Sequence, residues 1–219
     1  SAAAIFTTDG TIRMIETPEG EKTMPSAVSF DEDGSVWVGH PARAKLKRND
    51  EFTFLHFKRL MGEPWNAEES LGDQTVEGDD GNIWLKGRDS PVELSSMVIR
   101  ELLDCAEQRL GRRPDGAVIT VPANATNEAR ADAEAAGRLA GLKRVTSIEE
   151  PVAAAMAFGL ANPAYGQIAV YDLGGGTFDA SIVKSRDGFC DVIGKNGIAR
   201  LGGIDFDEAL VDYATKDFH

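Results

Sequence analysis

Apolar positions along the chain follow two spacings, and the spacing separates strands from helices. The chain opens on short apolar runs broken by turn residues. Ala3 to Thr7 is followed by Asp9-Gly10 and then by Ile12 to Glu16, with Ile12, Met14 and Glu16 on one face; this predicts a hairpin. Ser26 to Phe30 and Val36 to Gly39 flank Asp31-Glu32-Asp33-Gly34, a second hairpin signature. Pro41 opens a short basic helix through Arg48 whose charges read as a solvated face. Phe52 to Leu60 mixes aromatic residues with Lys58-Arg59, Asn66 to Asn82 reads as an acidic loop with weak strands, and Ile83 to Lys86 reads as a strand.

Helical spacing is clearest from Met97 to Leu110, where Val98, Leu102, Cys105/Ala106 and Leu110 recur on one side and Gly111 ends the pattern. Ser90-Pro91 and Ser95 both fit as its start, and local pattern does not choose between them. Ala117 to Val121 is a buried strand by composition, and Asn127 to Leu139 is an Ala-rich helix ended by Gly141. Pro151 marks the first turn of a further helix running to Gly159. Ile168 to Leu173 is a strand leading into three glycines, and Phe178 to Lys184, Arg186-Asp187-Gly188 and Phe189 to Ile193 form a hairpin. Asp205 and Glu208 resemble a capping box at the start of a last helix. The order is mixed α/β with antiparallel hairpins. The strand–turn–strand pattern of Ala3 to Ile15 is echoed at Ile168 to Ile193.

Composition narrows the function classes. The 219 residues are 42% hydrophobic and 27% charged, as in ordinary globular domains, and no apolar run approaches the roughly 20 residues of a membrane-spanning helix. The net charge of -13, from 36 acids against 23 bases, argues against sequence-independent binding to nucleic acid or to an anionic membrane. A phosphorylated small ligand stays open, because backbone N–H groups and a metal hold such ligands. Cys105 and Cys190 support neither a disulfide scaffold nor a metal cluster, and a reducing, cytoplasmic compartment is the expectation.

The segment Ile168 to Asp179, I-A-V-Y-D-L-G-G-G-T-F-D, concentrates the chemistry. A strand delivers Asp172; Gly174, Gly175 and Gly176 allow a backbone curl whose N–H groups converge on phosphate oxygens. Asp172 and Asp179 offer hard oxygens of the kind that hold Mg²⁺ and its waters, and Thr177 adds a hydroxyl.

This segment resembles the second phosphate loop of the actin-like ATPases, most closely that of the DnaK-type heat-shock chaperones. Ala117 to Arg130 (A-V-I-T-V-P-A-N-A-T-N-E-A-R), Gly137 to Leu160 around E-P-V-A-A-A, and Leu201 to Asp207 (L-G-G-I-D-F-D) are similar to further segments of that family in the same order. Thr23 to Pro25 and Phe57 to Gly62 (F-K-R-L-M-G) extend the likeness over nearly the whole chain. The resemblance implies an actin-like, ribonuclease H-like α/β lobe with a mixed sheet flanked by helices. Residues 1–19 and 90–165 would form the first-lobe core, 20–89 a small inserted α+β subdomain, and 166–219 the start of the second lobe.

The resemblance also implies roles. Asp172 and Asp179 match the acids around the metal and its water shell, Gly174, Gly175, Gly176 and Thr177 the phosphate loop, and Gly202 and Gly203 glycines near the nucleotide phosphates. Lys58 matches the lysine that reaches the terminal phosphate and orients the attacking water, and Glu150 the catalytic-site carboxylate. Pro122 and Arg130 match the pair that relays nucleotide state toward a chaperone domain. ATP or ADP, Mg²⁺ and K⁺ are the implied cofactors. J-domain cochaperones, nucleotide-exchange factors and unfolded peptides are the implied partners. Phosphoryl transfer to water fits these residues, since it needs chiefly positioning and charge neutralisation.

The sequence also departs from the family pattern. The opening D-L-G-T-T-N-S loop is not among these residues, and Ser1 to Ile5 resembles the stretch just after that loop. Glu149 stands where the family usually has Asn, Asn124-Ala125 replaces an aromatic pair, and Ile204 replaces a common acid. Thr146 stands where bacterial members often carry a J-domain-docking arginine. The expectation is an ATP hydrolase domain present as a first lobe plus the opening of the second, unable to turn over ATP alone. The alternatives are a non-catalytic actin-like module that holds nucleotide or a partner, and a sugar kinase of the same superfamily; the E-P-V-A-A-A and L-G-G-I-D-F-D matches oppose the last.

Overall fold

The computed structural model describes residues 1–7, 11–46, 52–64, 75–78, 81, 83–85, 90–161, 166–186, 189–198 and 200–216. Of the turns read from sequence, Asp9-Gly10 and Asp187-Gly188 lie outside the described residues, as do most of 66–82 and the residues Lys47, Arg48 and Lys86. The fold is mixed α/β, with five α-helices and several small sheets among the described residues. Two compact units divide the chain: Ser1–Ile119 with Asn127–Thr146, and Thr120–Thr126 with Ser147–His219.

The first unit is organised on one long helix. Strands β1 (Ala4–Phe6) and β2 (Ile12–Met14) pair antiparallel. Strands β3 (Ala27–Phe30), β4 (Val36–Val38) and β5 (Thr53–Leu55) form a sheet in the order β4-β3-β5. The β3–β4 turn closes with the Gly34 amide donating to the Asp31 carbonyl at φ +87°, a left-handed position suited to glycine. The short helix α1 (His40–Lys45) comes next, and β6 (Thr75–Glu77) and β7 (Ile83–Leu85) pair as a separate ribbon.

Helix α2 (Pro91–Leu110) starts at Ser90, not Ser95. The Ser90 hydroxyl accepts the Glu93 amide while the Glu93 carboxylate accepts the Ser90 amide, satisfying two orphan donors, and Pro91 occupies the first turn. Gly111, at φ +70°, terminates it by donating to the Glu107 carbonyl. One side of α2 packs Leu94 and Val98 against Val28, Phe30 and Phe54 of the three-stranded sheet and against Phe57. Further along, Cys105 and Ala106 meet Ile15, with Ala3 and Ile5 beside them. Leu103 turns to a third cluster with Ala140 and Leu142. From the stretch Ile12 to Glu16 it is Ile15 that is buried in this second cluster; Ile12 and Met14, the expected apolar face, are exposed.

Strands β8 (Gly116–Val121) and β9 (Arg144–Glu149) pair, and helix α3 (Asn127–Leu139) comes between them in sequence. A Cβ at Gly137 would sit 2.9 Å from Ile119 Cδ1 and 3.1 Å from Val145, so α3 approaches these strands through a glycine.

The second unit holds helix α4 (Glu150–Ala161) and the sheet β10 (Gln167–Leu173), β11 (Phe178–Arg186), β12 (Phe189–Ile198), all antiparallel, with α5 (Gly203–Thr215) after it. Helix α4 packs across the three strands. On β11, Asp179, Ser181 and Val183 are buried at alternate positions of one face. Strand β12 extends past the expected Ile193 to Ile198 because its far half pairs with β11 as far as Phe178, with a register shift between Ile182 and Val183.

Helix α5 begins earlier than its sequence suggests. Asp205 and Glu208 lie inside the helix, whose N-cap is Gly202 with no side-chain cap. The first amides are taken by backbone instead: Gly203 donates to the Gly174 carbonyl at 3.1 Å and Ile204 to the Gly175 carbonyl at 3.0 Å. A loop distant in sequence takes the place of the expected capping side chain.

Candidate functional site

Strands β10 and β11 end at a tight glycine turn in which the Gly174 amide donates to the Thr177 carbonyl at 3.0 Å. Leu173 opposes Phe178 next to the turn, and one pair further down Asp172 is paired with Asp179. Directly opposed residues of antiparallel strands project from the same face, with Cβ atoms about 5 Å apart, and like charges so placed repel. Asp172 is exposed and Asp179 nearly buried, at 5%. A cation shared between the two would relieve that repulsion. Sequence spacing anticipates two acids near the loop; the register makes them neighbours.

The third strand contributes an absence. Gly197 pairs with Asp179 from the other side, and a Cβ there would fall 2.7 Å from Asp179 Oδ1. The row Asp172–Asp179–Gly197 therefore sets two carboxylates beside one empty side-chain position.

Gly202 closes on the loop from the far side. A Cβ at Gly202 would lie 2.5 Å from the Gly176 nitrogen and 2.7 Å from the Gly174 oxygen, whereas one at Gly203 would meet only Gly175 Cα, at 3.8 Å. Gly174, Gly175, Gly176, Thr177, Gly202 and Gly203 are thus brought together in one backbone cluster around the start of α5.

Glu150 is the first residue of α4, half-buried, directly after Glu149 at the end of β9. A negative charge at this end of a helix is favoured by the macrodipole. Pro122 begins a turn closed by the Ala125 amide donating to its carbonyl at 3.1 Å. Lys195 of β12 donates to the Ala123 carbonyl within that turn, and its ammonium lies 3.9 Å from the Glu149 carboxylate. Sequence reasoning misses Lys195, since an isolated lysine on a strand carries no signal before the strands are assembled.

Lys58 and Arg130 belong to the first unit. Lys58 sits on a 3₁₀ turn, Phe57–Leu60, anchored by the buried side chains of Phe57 and Leu60 and presenting Lys58 to solvent. The turn is entered through His56 at φ +60° and left through Gly62 at φ +73°, both left-handed. Arg130 is half-buried in the first turns of α3.

As donors for a metal, Asp172 and Asp179 are two hard carboxylates, and no group of three or more metal-ligating side chains occurs among the described residues. That set fits Mg²⁺, which keeps several waters and takes one or two carboxylates plus phosphate oxygens. Cys105 and Cys190 are free thiols, and no described helix is long and apolar enough to cross a membrane. A family model described as Hsp70 protein matches residues 1–219.

Proposed function

The chain belongs to the Hsp70 family, and from that premise we propose that it is an ATP-binding and ATP-hydrolysing domain of a DnaK-type molecular chaperone, with an actin-like lobe architecture. The observation that carries this reading is the direct pairing of Asp172 with Asp179 beneath the Gly174–Thr177 turn. Two carboxylates in that relation call for a divalent cation, and the glycine backbone above them suits a phosphate chain. When bound, Mg²⁺ supplies charge neutralisation at the phosphates.

The remaining roles rest on the family resemblance. Thr177 offers its hydroxyl near the terminal phosphate, Lys58 directs its ammonium to charge developing there, and Glu150 holds or accepts a proton of the attacking water. Gly202 and Gly203 border the phosphates, and Pro122 and Arg130 relay nucleotide state. In the same proposal, 1–19 with 90–165 is first-lobe core, 20–89 the inserted subdomain and 166–219 the start of the second lobe. K⁺, J-domain cochaperones, exchange factors, peptide clients and a cytoplasmic location come with the family.

The test is single-turnover hydrolysis of Mg-ATP by the intact protein and by Lys58→Ala. A charge aimed at the transition state should cost the variant about a hundred- to a thousandfold in rate with little change in nucleotide affinity. Tight nucleotide binding without hydrolysis by the unaltered protein would favour the non-catalytic module instead. The 219 residues by themselves hold one glycine-rich phosphate loop; they should bind Mg-ATP weakly in titration calorimetry and show no turnover.

A further inference from the structure

The turn carrying Lys58 is fastened to helix α3 through the backbone of Gly62. The Gly62 amide donates to Asp132 Oδ2 at 2.8 Å, a contact across 70 positions of sequence in a half-buried setting. The approach is close enough to exclude any side chain at 62. A Cβ there would collide with the Ala129 nitrogen and lie 2.7 Å from Ala129 Cα and 2.9 Å from Ala129 Cβ, and φ is +73° besides. Ala129 and Asp132 are three residues apart on α3, hence on one face. On the turn's other side, Ser95 Oγ of α2 donates to Met61 Sδ at 3.5 Å.

We propose that Asp132 is a positioning residue. Its carboxylate, by taking the Gly62 amide, holds the Lys58 turn on helix α3, so that Lys58 and the helix that carries Arg130 shift as one body. This rests on the ATPase reading for what Lys58 does, though not for the latch itself. A charge-assisted bond to a backbone amide is among the stronger hydrogen bonds. Of the turn's own bonds, Arg59 to His56 is 2.9 Å, but those on the side toward Gly62 are long and of 3₁₀ type, Met61 to Lys58 at 3.4 Å and Glu63 to Leu60 at 3.3 Å, and left-handed residues, His56 and Gly62, stand at the turn's entry and exit. Loss of the Asp132 acceptor should therefore open the turn locally without unfolding α3.

Two measurements separate the latch from the enzymology. In the 219-residue chain, trypsin should cut after Lys58 and Arg59 about tenfold faster in Asp132→Ala than in the unaltered chain, with the global melting temperature nearly unchanged. Asp132→Asn keeps an acceptor oxygen and should restore most of the protection, and Gly62→Ala should mimic Asp132→Ala. Equal cleavage rates in the unaltered chain and Asp132→Ala, or failure of Asn to rescue, would overturn the proposal. In the intact protein, Asp132→Ala should slow single-turnover hydrolysis of Mg-ATP about tenfold at unchanged nucleotide affinity. The same substitution should have no further effect in a Lys58→Ala background. An additive loss in that background would overturn the action through Lys58. Absence of hydrolysis by the unaltered protein would sink the ATPase reading, and the proteolysis result would still decide the latch.

Discussion

Gly197 faces Asp179 across β11 and β12, and the missing side chain at 197 is what makes room for the Asp179 carboxylate. A Cβ would lie 2.5 Å from the Phe178 carbonyl oxygen and 2.7 Å from Asp179 Oδ1. Neither atom can yield cheaply: one is strand backbone and the other a nearly buried acid. Gly197→Ala should destabilise the fold by about 1–3 kcal/mol through overpacking. It should also weaken Mg²⁺-dependent nucleotide binding in the intact protein. Gly194, three residues earlier on the same strand, has nothing within 4 Å of an added Cβ, so Gly194→Ala should change neither. Urea unfolding of the two variants side by side makes the comparison; equal effects would show that the Asp179 contact is not the cause.

Ser181, two residues beyond Asp179 on the same face, is buried at 4%, and its hydroxyl has no hydrogen-bond partner among the described residues. A buried hydroxyl left unmatched carries its full desolvation cost. Ser181→Ala removes that group while creating almost no cavity. The expected outcome is a gain in stability of about 1 kcal/mol in chemical denaturation. A loss of stability would mean that the hydroxyl is engaged, by water or by ligand, in solution.

Whether the sequence foretells these features depends on whether a feature is local. Helix α2 can be read from Val98, Leu102 and Leu110, but Ser90 and Ser95 cannot be told apart, because the choice turns on the Glu93 carboxylate reaching back to the Ser90 amide. The three glycines at 174–176 and both aspartates stand out by type and spacing. That Asp172 and Asp179 are cross-strand partners needs the hairpin register. The sequence pattern sets the start of α5 at Asp205, too late, because its real cap is carbonyl groups nearly 30 residues upstream, Gly174 and Gly175. Asp132 and Lys195 leave no trace in the pattern. Each is an ordinary surface-type charge until folding brings Gly62 to one and Ala123 to the other.

Glu101 supplies a pH dependence with a definite sign. On α2 it is partly buried beside Asp104 and near Glu19, and burial first, then these two acids, push its carboxyl above the ordinary value of 4.5. Below 4.5 the carboxyl is protonated whether folded or not, and it carries no penalty. As pH rises from 4.5 through its raised folded value, the unfolded chain ionises more readily and stability falls. Arg113 pairs with Asp104 but leaves part of that repulsion in place. Glu101→Gln should therefore raise the melting temperature at pH 7 and flatten its decline as pH rises above 4.5. Identical pH profiles for variant and unaltered chain would contradict the raised carboxyl.

Adjacent glycines at the start of α5 should respond in opposite ways to the same substitution. Gly202 has an extended φ of -171°, open to any residue, so its requirement is purely one of space. A methyl there would press on backbone atoms of three consecutive residues, Gly174, Gly175 and Gly176, at 2.5–2.7 Å. At Gly203 the nearest atom is 3.8 Å away, ordinary van der Waals contact. Helix α5 has no buried residue, and the bonds from Gly203 to Gly174 and from Ile204 to Gly175 tie its first turn to the glycine loop. Two such bonds at about 1 kcal/mol each correspond to an order of magnitude or more in local opening. Gly202→Ala should accordingly raise amide exchange at positions 203 and 204 about tenfold or more while the core of the sheet, Val183 among it, keeps its protection. Gly203→Ala should leave exchange at 204 nearly unchanged, and should firm the helix slightly because alanine is the better helix former. Hydrogen exchange measured residue by residue distinguishes the two. If Gly202→Ala left the first turn of α5 as protected as before, the closure of Gly202 on the glycine loop would not be what seats this helix.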